Sequence, residues 1–382
     1  MKRIAILGST GSIGINTLKV ILSFPSEFRV VGLTANSNIN LLSRQVKMFS
    51  PKIAAVANGD KFRDFKDDFN GRTKIYRGRE GLLRVASYPE VDLVVVAISG
   101  SSALLPLLAA IDSGKTIALA NKEALVMAGR VIIERARQKK VKIIPIDSEQ
   151  SAIWQCLENR NRKELRRIYL TASGGPLNNV PKERFSKLSI EAILTHPRWK
   201  MGKKISVDSA TMVNKGLEII EAKWLFGVDI SQIKVIIHPE AIIHSMVEFI
   251  DGVILAQLAA TDMRLPIQYA LSYPKRWQAP VESLDFLKLK GLTFQKPDEV
   301  RFPCLRLAFK AAKDGGSAPC VLNAANEEAV NAFLDKRLNF VYIPKVIEKI
   351  LAKHKVVSNP SLKQILELDR WARDEAISLI SS

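Results

Sequence analysis

The sequence predicts an α/β chain in three parts: an N-terminal doubly wound parallel sheet, a central α+β domain and a C-terminal helical bundle. Short apolar, mostly β-branched runs alternate with helical patterns in the first part, and a glycine-rich turn joins the first run to the first helix. Apolar residues spaced at roughly 3.6 then fill the last part. Together the first two features make the opening domain Rossmann-like.

The runs are KRIAIL from Lys2, FRVVGLTA from Phe28, KIAAVA from Lys52, VDLVVVAIS from Val91, TIALA from Thr116 and VKIIPI from Val141. Strands apolar along their whole length belong to a parallel sheet covered on both faces, because neither face meets water. After Ser148 the texture changes. LRRIYLTA, QIKVIIHP, HSMVEFI and VILAQLA read as strands, and Asp251-Gly252 between the last two signals a hairpin. Pro274, Pro280, Pro297 and Pro303 mark a linker. VLNAANEEAVNAFL, VYIPKVIEKILAKH and PSLKQILELDRWARDEAISLI carry helical spacing. The predicted division is 1–147, 148–275, a linker at 276–303, and 304–382.

The 382 residues, 47% of them apolar, are enough for more than one core. Cys156, Cys304 and Cys320 lack CxxC spacing, which argues against a disulfide framework and a thiolate zinc site and favours a reducing compartment. No apolar run reaches the length of about 18 residues that a membrane span needs. No export-type leader precedes the run at Lys2, so the expected location is the cytoplasm. The net charge of +19 suits a partner carrying phosphates. Its densest run is Arg160 to Arg167, and no zinc-finger or RRM signature accompanies it. A solvated basic surface is the plainest reading, a small anionic substrate the next, and nucleic acid the last.

GSTGSIG, Gly8 to Gly14, follows the first strand directly. Its glycines allow a sharp turn and close approach to a pyrophosphate, held by N–H groups at the helix N-terminus. A carboxylate at the end of the second strand would repel a 2′-phosphate, whereas Asn36, Ser37 and Asn38 stand there and favour NADP. Asn121, Lys122 and Glu123 fall at a strand's carboxyl end, either as ligand contacts or as an ordinary helix start capped by Asn121.

In KIIPIDSEQSAIW two acids flank Ser148. On extended backbone Asp147 and Glu149 would face one spot and need a cation; at a helix start, Asp147 would cap and Glu149 would sit in the first turn. DSATMVNKGLEIIEAKWLFG reads as one helix from Asp208-Ser209 to Gly227, with Asn214, Lys215 and Glu218 on one face and Leu217, Ile220 and Trp224 able to face the core. The polar face is either solvated or supplies Glu218 as a third oxygen ligand of a hard cation, with Lys215 and Asn214 beside it for a phosphate. Carboxylates alone suit magnesium or manganese better than zinc. LTASGGP could form an anion nest, and THPRWKMGKK a lid; each could equally be a plain loop. His238, His244 and His354 lack partners at metal-ligand spacing and read as structural.

GSTGSIG, ALANKEAL, IPIDSEQSAIWQ, LTASGGP, HPRWKMGKKISVDSATMVNKGLE and HPEAIIHSMVEF together resemble the 1-deoxy-D-xylulose 5-phosphate reductoisomerase family, in order and over nearly the whole chain. The resemblance implies an NADPH domain at 1–147, a catalytic, metal-binding and homodimer-forming domain at 148–275, and a helical domain at 304–382. It implies NADPH at Thr10, Gly11, Ser12, Ile13, Asn36, Ser37, Asn38, Asn121, Glu123 and Gly202. Mg2+ or Mn2+, with Co2+ a further option, would be held by Asp147, Glu149 and Glu218. Ser173, Ser209, Asn214 and Lys215 would bind the substrate phosphate. Ser148, Glu149, Lys122 and His196 would face the sugar backbone, the last three as the catalytic residues, with Trp199 and Met201 on a closing loop.

The implied reaction is a retro-aldol and aldol rearrangement of 1-deoxy-D-xylulose 5-phosphate, then hydride reduction to 2-C-methyl-D-erythritol 4-phosphate on the route to isoprenoids. At Asn36-Ser37 the chain departs from the Gly followed by Lys or Arg that members often carry. The competing readings are a metal-free Rossmann sugar dehydrogenase and a basic nucleic-acid-binding protein.

Overall fold

β1 (Lys2–Leu7), α1 (Ser12–Ser23) and β2 (Phe28–Ala35) form the first βαβ unit of the computed structural model, which describes residues 1–62, 65, 72–199 and 201–382. The chain continues through α2 (Ile39–Phe49), β3 (Ile53–Val56), β4 (Lys74–Arg77), α3 (Gly78–Ala86), β5 (Leu93–Val96), α4 (Leu104–Asp112), β6 (Thr116–Leu119), α5 (Glu123–Gln138), β7 (Ile143–Pro145) and α6 (Ser148–Cys156). The strands pair in parallel in the order β4-β3-β2-β1-β5-β6-β7. The order reverses at β1, so the glycine turn after β1 lies at the switch point where open α/β sheets bind ligands.

This sheet belongs to a compact unit comprising Met1–Ala124, Ile132–Ser151 and Asp262–Ser283. Its core joins Ile4, Ile6, Val95 and Ala118 of the strands to Ile267, Ala270 and Leu271 of the helix Arg264–Ser272. The Trp277 ring lies 5.0 Å from that of Phe24 and 5.2 Å from that of Phe28. The expected strands all form, β1 and β2 at full length and the other four trimmed where turns take over. β4 was not expected: KIYR is short and no residue in it is fully buried, so it carries no core signature.

The second unit comprises Leu125–Val131, Ala152–Thr261 and Leu284–Ser382. It contains β8 (Leu165–Ala172), α7 (Ile190–Leu194), α8 (Lys203–Thr211), α9 (Val213–Phe226), β9 (Ile233–Ile237), β10 (Ile243–Phe249) and β11 (Ile254–Leu258). Its sheet runs β11-β10-β8-β9, with β8 parallel to β9 and antiparallel to β10. β10 and β11 form the expected hairpin, with Gly252 at φ +86°. Four helices follow, Pro303–Asp314, Ala318–Leu334, Ile343–Lys353 and Leu362–Ser381, the first three with a proline at their first or second residue and the last with a Ser361/Gln364 capping box. Arg373 of the fourth, paired with Asp369 on its own helix, ties it to the second through Glu327 and Glu328. All three cysteines are free and buried. Among the described residues no helix is long and apolar enough to cross a membrane.

Two local expectations are corrected. The single helix from Asp208 to Gly227 is two helices, α8 and α9, broken where Met212 adopts φ 62°. Asp208 and Ser209 therefore do not cap. Asp208 lies inside α8, its carboxylate 2.7 Å from Lys204 Nζ and accepting from Asn326 at 2.9 Å. The extended geometry for Asp147 and Glu149 also fails, because β7 ends at Pro145 and α6 starts at Ser148. The Asp147 carbonyl accepts the first helical bond, from Ser151 N at 2.8 Å, and Glu149 lies in the first turn.

Candidate active site

The turn after β1 is built to admit nothing larger than glycine at two points. Gly8 sits at φ +89°, where a Cβ would come within 2.7 Å of the Ala97 carbonyl oxygen. A Cβ on Gly14 would meet the Gly8 carbonyl oxygen at 2.3 Å, so helix and turn can approach this closely only without side chains. Thr10, Gly11, Ser12 and Ile13 lie between them. α1 has neither a side-chain cap nor an acid in its first turn, which leaves its N–H groups suited to a pyrophosphate. At the end of β2, Asn36 and Ser37 are exposed, while Asn38 caps α2 by accepting from Leu41 N at 3.2 Å.

Asn121 takes the helix-start role that its cluster allows. Its Oδ1 accepts from Ala124 N at 2.9 Å as a cap, while Nδ2 donates to the carbonyls of Ile98 and Gly100 at 2.9 and 3.0 Å and to Glu123 at 2.8 Å. Lys122 follows, with Nζ 2.7 Å from Oδ2 of Asp147. Ser148 Oγ donates to Glu149 Oε2 at 2.5 Å.

In the second unit Glu218 is buried, accepting from Asn214 Nδ2 at 2.5 Å and paired with Lys215. The i, i+1, i+4 spacing read from the sequence is thus used inward, not toward solvent. Ser173 opens a turn whose Gly174 and Gly175 take φ +83° and +69°, and a Cβ on Gly175 would meet the Ser209 carbonyl oxygen at 2.7 Å. That closeness brings the Ser173 turn against Ser209. His196 Nδ1 accepts from Arg198 N at 3.1 Å and Trp199 N at 2.9 Å, so the neutral ring carries its proton on Nε2, 3.0 Å from Ser173 Oγ. Gly202 precedes α8 as its N-cap, and the Trp199 ring stands 6.1 Å from that of His244. Lys200 of the expected lid lies outside the described residues. The histidines left as structural are engaged: His238 Nδ1 is 3.0 Å from the Thr293 carbonyl, and His354 Nε2 is 2.7 Å from Ser317 Oγ.

Sequence reasoning missed the contacts that join Asp208 to Lys204 and Asn326. Asp208 is 1% exposed, and its Asn326 partner lies 118 residues away, so no local pattern announces the contact.

A glycine-turned parallel sheet, buried acids and groups of serine, asparagine and lysine suited to a phosphate define the class: an oxidoreductase of the dinucleotide-binding α/β type. Family models described as 1-deoxy-D-xylulose 5-phosphate reductoisomerase match residues 4–129, and those of its C-terminal domains match 143–226 and 258–375. The chain belongs to the 1-deoxy-D-xylulose 5-phosphate reductoisomerase family.

Its curated relative from Pelotomaculum thermopropionicum is 50% identical, over 100% of this chain and 99% of that protein. The relative from Thermoanaerobacter pseudethanolicus is 49% identical, over 98% of each. Among solved structures, the Zymomonas mobilis reductoisomerase in complex with NADPH has a TM-score of 0.92 at 42% identity, covering 100% of this chain and 99% of that one. A reductoisomerase in complex with NADPH, fosmidomycin and magnesium has a TM-score of 0.94 at 39% identity, covering 100% and 98%.

Proposed function

We propose that this chain converts 1-deoxy-D-xylulose 5-phosphate to 2-C-methyl-D-erythritol 4-phosphate, by rearrangement and then reduction, with NADPH and a divalent cation, Mg2+ or Mn2+. The observation that carries the metal reading is that Asp147 and Glu149 stand together at the start of α6 and that Glu218 is a buried acid, three carboxylates of the kind a hard divalent cation takes. The donor set fits such an ion: it is all carboxylate oxygen. When bound, the ion would polarise the ketose carbonyl and stabilise enolate-like charge.

The chain's own residues supply the rest. Lys215, Asn214, Ser173 and Ser209 would hold the phosphate, a remote anchor whose binding energy orients the reacting carbons. His196 would offer its Nε2 proton to a substrate oxygen, and Lys122 and Glu149 would move protons at the sugar backbone. Trp199 and Met201 would close over the substrate and exclude water. The turn from Thr10 to Ile13 would take the cofactor's pyrophosphate, Asn36, Ser37 and Asn38 its 2′-phosphate, and Asn121, Glu123 and Gly202 its nicotinamide end. We read residues 1–147 as the cofactor domain, 148–275 as the catalytic domain and 304–382 as the helical domain. We place the enzyme in the cytoplasm as a homodimer, which sedimentation of the purified chain tests.

The deciding experiment follows NADPH oxidation with 1-deoxy-D-xylulose 5-phosphate, with and without EDTA, then with Mg2+ restored. Turnover should stop on chelation and return with the ion; turnover that survives exhaustive chelation would instead indicate a metal-free dehydrogenase. Glu218→Gln should abolish turnover while NADPH still binds.

A further inference from the structure

α2 presents Leu42, Gln45 and Val46 to the core. A glutamine in such a stripe is costly unless both ends of its amide are satisfied. Gln45 is 6% exposed, and one residue satisfies both ends. Its Nε2 donates to the Ser9 carbonyl at 2.9 Å, and its Oε1 accepts from Ser9 Oγ at 2.7 Å. Ser9 is 0% exposed and lies in the glycine turn, next to Thr10. The turn is also held to the end of β2: Gly8 N donates to Thr34 Oγ1 at 2.9 Å and Ser9 N to the Thr34 carbonyl at 2.8 Å.

The turn Asn36–Asn38 lies between Thr34 and α2, with Asn38 as the α2 cap. Gln45 therefore closes a ring: glycine turn, β2, Asn36–Asn38, α2, and back to the glycine turn through Ser9. Packing alone would be served by a leucine at this position; only an amide makes the reciprocal pair.

We infer that Gln45 is a positioning residue for the cofactor, fixing the pyrophosphate turn at a set distance from the turn that takes the 2′-phosphate. The inference rests on the cofactor residues proposed above. NADPH engages both turns at once, and two anchors held at the right spacing bind better than two that move independently. NADH lacks the 2′-phosphate and uses only the first. Breaking the latch therefore costs NADPH more than NADH.

The test is fluorescence titration of each cofactor into the full-length protein. In Gln45→Leu the dissociation constant for NADPH should rise about tenfold and that for NADH about threefold, with kcat at saturating NADPH unchanged. Ser9→Ala keeps the bond from Nε2 and should show a smaller loss with the same bias. Ser9 Oγ also reaches the Thr34 carbonyl at 3.1 Å, so adding Ser9→Ala to Gln45→Leu should cost less than the sum of the two losses, as expected of residues that share a contact. Equal losses for the two cofactors, no loss, or full additivity would overturn the inference. Gly11→Asp separates it from the reading beneath: a carboxylate in the pyrophosphate turn should abolish binding of both cofactors. Normal NADPH binding by that variant would overturn the cofactor assignment itself.

Discussion

Nζ of Lys122 stands 2.7 Å from Oδ2 of Asp147, in an ion pair whose side chains are only 6% and 13% exposed. The ammonium neutralises a half-buried acid that a divalent cation would otherwise claim. Removing it leaves an uncompensated carboxylate, which costs stability in the free protein and strengthens the pull on a metal. Lys122→Met should therefore bind Mn2+ more tightly, measured by electron paramagnetic resonance. Its turnover should fall by about 10²–10⁴, the usual contribution of a positioned proton-transfer group. Weaker Mn2+ binding in this variant would argue that Lys122 helps assemble the site and does not compete for it.

Glu218 and Lys215 form a second enclosed pair, 1% and 4% exposed. Truncating one partner of a buried pair costs about 3–5 kcal/mol because the other charge is left unpaired. Lys215→Met should lose roughly that much stability to urea in EDTA and recover part of it in Mg2+, since a cation can take the ammonium's place. Equal losses with and without Mg2+ would separate Glu218 from the metal.

These pairs also mark how far the sequence could be read. The parallel sheet was legible because FRVVGLTA, buried except at Arg29, and LVVV, buried throughout, advertise it. β4 was not, because KIYR lacks a fully buried residue. Local spacing singled out Asp147, Glu149 and Glu218 as candidates but left two geometries open for the first two. Of the strand end and the helix start that the sequence allowed, the helix start is the one that forms. Nothing in DSATMVNKGLE signals the left-handed Met212 that divides α8 from α9, since Gly or Asn is the usual residue there. Asp208–Asn326 and Ser9–Gln45 join residues distant in sequence, and such contacts appear only once the chain is folded.

Burial holds the His354 pKa below its ordinary value of 6.5, with Nε2 2.7 Å from Ser317 Oγ. The unfolded chain then takes up a proton that the folded chain refuses. The stability that depends on neutral His354 is present above 6.5 and is lost as pH falls through the lower folded value. Thermal melts of the parent chain should show a fall below that pH which is shallower in His354→Gln. An unchanged slope would remove His354 as its source.

Gly129 faces the indole of Trp224, and a Cβ there would lie 2.2 Å from Cδ1. Two effects of Gly129→Ala oppose each other. Alanine in place of glycine within a helix ordinarily stabilises by about 1 kcal/mol, but α5 already departs from helical geometry at Ala128, with φ −137° and ψ 29°, which weakens that gain. Against it stands overpacking of a rigid ring, which costs about 1–3 kcal/mol. Trp224 also lines a cavity of ≈ 120 Å³, so the ring has some room to shift and the net loss should be about 1–2 kcal/mol. Chemical denaturation of Gly129→Ala should show this loss, and adding Trp224→Leu should make the double variant no less stable than Trp224→Leu alone, because the indole that forbids the methyl is gone. A double variant that loses as much again would locate the need for glycine in the backbone at the Ala128 break, not in the ring packed against it.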